Sequence, residues 1–139
     1  MKVELSRLND SFYLEAVTEE GNKIEFDASA EIGGENKGVR PMQALLMSLA
    51  ACSSIDVILI LKKQKQKISD FRITVDGERE KDKEPALWEK VHVHFKIKGE
   101  VDKEKAERAA KLSMDKYCSV AETLRRAGAA ITHEVSVNN

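Results

Sequence analysis

Two cysteines are the residues of this chain with the widest chemical reach. Cys52 stands inside the most apolar stretch, Pro41 to Leu61, and Cys118 lies in Asp115-Lys-Tyr-Cys-Ser-Val120. A thiolate attacks electrophilic oxygen or sulfur, and two thiols that meet can cycle between a reduced pair and a disulfide. The 66 residues of separation (118 − 52) contain no C-x-x-C motif, so nothing local brings the pair together. Two readings stand at this point: a redox pair, or two small core hydrophobes of the kind cysteine commonly makes.

An active Cys52 needs help, because burial in apolar surroundings raises a thiol's pKa and a nearby cation lowers it. Asp56, one turn further on, would raise it if ionised; it could instead bond Ser53 or a partner's donor. Upstream of Cys52 the chain has two arginines, Arg7 and Arg40. Arg40 precedes Cys52 by twelve residues, about 18 Å along a straight helix, which is beyond an arginine's reach. Arg40 could serve the Cys52 of a second copy if two such helices pack antiparallel. The same pairing would cover a helix that is apolar on almost every side.

Other candidates have plainer readings. Tyr117 could donate to a substrate oxygen or simply pack. His92 and His94 alternate on a strand and share a face, but no third ligand is near them in sequence and His133 is expected on a distant strand. They read as surface histidines, and Lys62 to Lys67 as the solvated end of a long helix.

With 23 basic and 24 acidic residues the net charge is -1, without the basic surplus that phosphate binding requires, so nucleic acid is not an expected partner. The N-terminus lacks the apolar segment of a secretory signal, which points to the cytoplasm, where a disulfide is transient. Met42 to Leu61 is long enough to span a bilayer. Against a span stand Gln43, Ser48, Ser53, Ser54 and Asp56, a mid-span aspartate costing roughly 2.5–3.5 kcal/mol. A buried helix of a soluble protein is the better expectation.

The 139 residues suit one domain, 1–139. Val3–Leu8 alternates as a half-buried strand. Phe12–Val17 and Lys23–Asp27 complete a three-stranded meander. Gly33–Gly38 reads as a flexible loop before Pro41 opens a helix that runs to about Lys65. Strands follow at Ser69–Arg79, with Gly77 at a bulge or strand end, and at Leu87–Lys98. Asp102 caps a helix with Ala106, Ala109, Ala110 and Leu112 inward. A short helix holds Cys118, Val120, Ala121 and Leu124 and ends at Gly128, before a last strand at Ile131–Val137. The order βββ-α-ββ-αα-β is α+β.

From Arg40-Pro-Met-Gln-Ala-Leu-Leu through Ala50-Ala-Cys-Ser-Ser-Ile-Asp-Val57, and again at Asp115-Lys-Tyr-Cys-Ser-Val120, the chain resembles the OsmC/Ohr family of osmotically inducible and organic hydroperoxide resistance proteins. The resemblance runs from about Phe26 to Val137, and the Ser53-Ser-Ile-Asp56 run looks like a less-characterised OsmC-like branch. It implies an intertwined homodimer with long central helices and sites at the subunit interface. It implies a peroxidatic Cys52 and a resolving Cys118 that reduce organic or lipid hydroperoxides. A cellular dithiol would restore the thiols, with no metal or organic cofactor. The better-studied peroxidases of the family pair an arginine with a glutamate just after the helix-opening proline. Here Met42 and Gln43 stand there and the carboxylate is missing. Arg40 is the expected arginine, with Arg7 second, and Gln43 could orient it by hydrogen bonding. The other function the chain allows is a non-catalytic OsmC-like protein that binds a small hydrophobic ligand or senses oxidation.

Overall fold

The computed structural model describes residues 1–139. In chain order the elements are β1 (Val3–Arg7), β2 (Leu14–Thr18), β3 (Lys23–Phe26), a 3-10 turn (Ala30–Ile32) and α1 (Pro41–Lys63). Then come β4 (Lys67–Arg79), β5 (Trp88–Glu100), α2 (Lys103–Leu112), a π-helical turn (Ser113–Tyr117), α3 (Ser119–Arg126) and β6 (Ala130–Val137). This is the α+β order expected from the sequence, with the π-helical turn added. The chain forms two compact units, Met1–Leu45 and Leu46–Asn139.

In the first unit β1, β2 and β3 form an antiparallel meander in that order, with Val3 opposite Thr18 and Leu14 opposite Phe26. β1 is not half-buried as its alternation suggested: Val3 and Leu5 are 65% and 58% exposed. Alternation decides which side chains share a face, whereas burial needs a second layer, and the apolar side chains of this edge strand stay open. The Gly33–Gly38 loop is tied down. The buried Asp27 carboxylate accepts backbone N–H groups from Ala28 at 2.8 Å and from Glu35 and Lys37 at 3.1 Å each. These bonds, the one from Lys37 above all, hold its carboxyl below the usual aspartate range. Gly34 permits the fold-back, since a Cβ there would sit 1.8 Å from the Ala28 carbonyl oxygen.

At the start of α1, Gln43 Oε1 accepts the Arg40 backbone N–H at 3.1 Å, the reaching-back half of a capping box. Lys65, at φ +58°, ends the helix by turning the chain left-handed. Leu49, Ser53, Val57 and Leu61, four residues apart, form its buried stripe. The Ser53 hydroxyl is satisfied by the Leu49 carbonyl at 2.8 Å. The helix expected to be buried is covered on one stripe only within the single chain, with Met47, Ile55 and Leu59 at 49%, 65% and 48% exposed. Its most apolar stretch has a mean hydropathy of 2.3, so by length and composition alone it could cross a membrane.

The second unit is built on the sheet β4-β5-β6, antiparallel between β4 and β5 and parallel between β5 and β6. A parallel neighbour requires a crossover, and α2, the π-helical turn and α3 supply it. Val91, Val93, Phe95 and Ile97 of β5 share one buried cluster with the α1 stripe, Ala106, Ala109 and Ala110 of α2, and Met114, Cys118, Ala121 and Leu124. Asp102 caps α2 as expected, its carboxylate accepting the Lys105 N–H at 2.9 Å. Gly128, at φ +106°, closes α3, with the Ala129 N–H on the Leu124 carbonyl at 3.0 Å. Gly77 is neither bulge nor strand end. It sits in register opposite Val91, and a Cβ there would lie 2.8 Å from the Trp88 ring.

Candidate functional site

Cys52 stands on α1 one residue before the buried Ser53, which leaves its thiol half-buried at the edge of the covered stripe. Cys118 is not inside α3 but caps it. Its backbone is extended, and its Sγ accepts the Ala121 N–H at 3.4 Å. Its own N–H is held by the Ser113 carbonyl at 2.8 Å across the π-helical turn. A π turn inserts an extra residue into a helix and recurs at functional sites. Here it swings Cys118 back toward α1, and Arg125 steadies the turn by donating to the Met114 carbonyl at 2.8 Å.

The two sulfurs and an Asp56 carboxylate oxygen all lie within 4.8 Å of one another, and both cysteines are free thiols. A disulfide bond is about 2.05 Å long, so side-chain rotation has a short gap to close. Asp56 does not bond Ser53. It accepts the buried Ser113 hydroxyl at 2.9 Å, a bond across 57 residues of chain that links α1 to the turn carrying Cys118.

The Cys118 thiol is pushed up to about 11. Burial is the chief cause, the Ala121 N–H works against it, and Cys52 and Asp56 add to the rise. Cys118 is therefore a protonated thiol at neutral pH. Open clefts of about 560 and 540 Å³ flank the site. Cys118 and Tyr117 line one; Asp56, Leu59, Leu112 and Tyr117 line the other.

Arg40 and Gln43 belong to the other unit, Met1–Leu45. The Arg40 guanidinium donates to the Gly38 carbonyl at 3.0 Å and to Asn36 Oδ1 at 3.3 Å, while Gln43 engages the Arg40 backbone. Arg7 donates to the Ser11 carbonyl at 3.0 Å within the β1–β2 turn. As metal ligands, Cys52, Asp56 and Cys118 offer three donors, one short of a four-ligand structural zinc site. His92 and His94 point to one face, where Glu134 lies 3.5 and 3.1 Å away. His133 is not on a distant strand: β6 pairs directly with β5. It stands opposite Val93, so it faces the core side, away from the other two histidines.

A family model described as OsmC-like protein matches residues 34–134. The chain belongs to the OsmC family. Protein YhfA of Escherichia coli K12 is 39% identical over 103 residues, which cover 73% of this chain and 75% of that protein. A solved structure of a hypothetical protein from Aquifex aeolicus VF5 superposes with a TM-score of 0.80 at 33% identity, covering 99% and 97% of the two chains. An organic hydroperoxide resistance protein OsmC from Legionella pneumophila shares the fold, with a TM-score of 0.71 at 20% identity over 99% and 98% of the chains. Asp56 was weighed in the sequence only as a charge beside Cys52, and Ser113 was not weighed at all. An aspartate inside an apolar helix was the available signal for the first; Ser113 carries none.

Proposed function

We propose that this OsmC family protein is a thiol peroxidase that reduces organic or lipid hydroperoxides through Cys52 and Cys118. The approach of the two free sulfurs to within 4.8 Å carries this reading, and the hydroperoxide-resistance name of the Legionella pneumophila relative supports it. Cys52, the more exposed thiol, is the peroxidatic one. Its sulfur attacks the O–O bond, an alcohol leaves, and a sulfenic acid remains. Cys118, kept protonated by its burial, is the poorer first nucleophile and resolves that sulfenic acid to a disulfide, which an external dithiol reduces.

The uncovered apolar face of α1 supports a homodimer in which the helices of two copies pack together, in place of a membrane span. Arg40 then comes from the second copy to favour the Cys52 thiolate, oriented by the turn that Gln43 caps. The matched stretch 34–134 runs through both compact units, which supports one OsmC-like domain over 1–139. We read the protein as cytoplasmic, where a dithiol reductant is at hand.

The second reading, a non-catalytic protein that binds a small hydrophobic ligand, draws on the cleft between Leu59, Ile60 and Leu112. Turnover of cumene hydroperoxide in a dithiol-coupled assay separates the two. The peroxidase reading expects turnover that Cys52→Ser abolishes, and turnover surviving that substitution contradicts it.

A further inference from the structure

We propose that Asp56 is the proton acceptor for Cys118 when that thiol attacks the Cys52 sulfur. The inference rests on the order of thiols given above. Cys118 must lose a proton to become a nucleophile, yet it is only 3% exposed and its sulfur already accepts the Ala121 N–H. A carboxylate oxygen of Asp56 stands within 4.8 Å of both sulfurs. Ser113 binds its Oδ2, which leaves Oδ1 able to take a proton. The same serine holds the Cys118 backbone N–H through its carbonyl, so one residue sets both the base and the thiol it serves. Asp56 also lines the open cleft that Lys63 and Tyr117 border, which gives a water molecule room to bridge the remaining gap.

The step balances. The Cys118 S–H bond breaks and its proton passes to Asp56. The electron pair forms the S–S bond to Cys52, whose S–O bond breaks. The departing hydroxide takes the proton from Asp56 and leaves as water. The Cys52 sulfur is reduced, the Cys118 sulfur is oxidised, and the carboxylate is regenerated.

This role opposes the simple electrostatic one. As a negative charge, Asp56 raises the Cys118 pKa, together with Cys52. Removing the charge alone would give more thiolate and faster ring closure. Removing a proton acceptor gives slower closure, so the sign of the effect decides.

The test needs no hydroperoxide. Reduced protein is mixed with dithiobis-nitrobenzoate. Cys52 forms a mixed disulfide and releases one thionitrobenzoate; attack by Cys118 then releases a second, read by absorbance. At about pH 7, Asp56→Asn is expected to slow the second release about a hundredfold, the low end of general-base effects, while the first release, freed of the negative charge beside Cys52, is not slowed. The gap should narrow toward about pH 10, where hydroxide ionises the thiol directly, and Asp56→Glu should recover part of the rate. A second release from Asp56→Asn as fast as the parent, or faster, overturns the proposal. Normal ring closure in a protein that turns over no hydroperoxide would overturn the peroxidase reading and leave the role of Asp56 standing.

Discussion

The Ser113 hydroxyl donates a 2.9 Å hydrogen bond to Asp56, joining the π-helical turn to α1 across 57 residues of chain. Ser113 is fully buried, whereas Asp56 is partly buried and lines an open cleft, so water can replace only part of what the bond supplies. Ser113→Ala leaves the Asp56 carboxylate without its donor and is expected to cost about 1–3 kcal/mol in denaturant unfolding. It should also slow Cys52–Cys118 closure, because the link that fixes the turn beside α1 is lost. Unchanged stability together with unchanged closure would show that the bond does neither.

The two thiols should differ in reactivity with pH. Cys118 has its pKa raised to about 11, so at about pH 8 roughly one molecule in a thousand carries the thiolate. Iodoacetamide at that pH is expected to modify Cys52 first and to leave Cys118 intact until the pH nears its pKa or the chain unfolds. The sign for folding follows from the raised value. The buried neutral thiol contributes stability that is fully present below the ordinary value of 9.0 and is lost as pH rises through about 11. Labelling of Cys118 before Cys52, mapped by peptide mass, would contradict the assignment of roles.

The open face of α1 carries the dimer prediction. At micromolar concentration, sedimentation should give twice the 15.6 kDa chain mass. Ile55, 65% exposed in the single chain, is a direct place to intervene. Ile55→Lys would put a charge into an apolar interface and is expected to weaken association about tenfold or more. A stable monomer of the parent protein at that concentration would contradict the pairing of helices.

Much of this architecture is legible in the residues themselves. Alternating Val91, Val93, Phe95 and Ile97 mark a core strand, Asp102 marks a helix start, and Gly128 marks a helix end, because each reflects a local backbone rule. What the sequence hides is set by distance and by layers. The parallel pairing of β6 with β5 follows from a crossover that no local pattern reveals, and it moved His133 beside the strand of His92 and His94. The π-helical turn has no composition signal, yet it turns Cys118 from a helix-interior residue into a cap facing Cys52. Gly77 read as a bulge or strand end because its reason, the Trp88 ring at 2.8 Å from a would-be Cβ, lies on another strand. At the site, the cysteines were visible as residue types, whereas Ser113 became meaningful only through its bond to Asp56.

As one redox pair, Cys52 and Cys118 should be oxidised together. Reduced protein treated with a stoichiometric organic hydroperoxide, alkylated under non-reducing conditions and weighed intact, tests this most directly. The expected result is the loss of two hydrogens from each chain, a linked Cys52–Cys118 peptide after digestion, and no linkage in Cys52→Ser or Cys118→Ser. An unchanged mass with both thiols still open to alkylation after unfolding would contradict it.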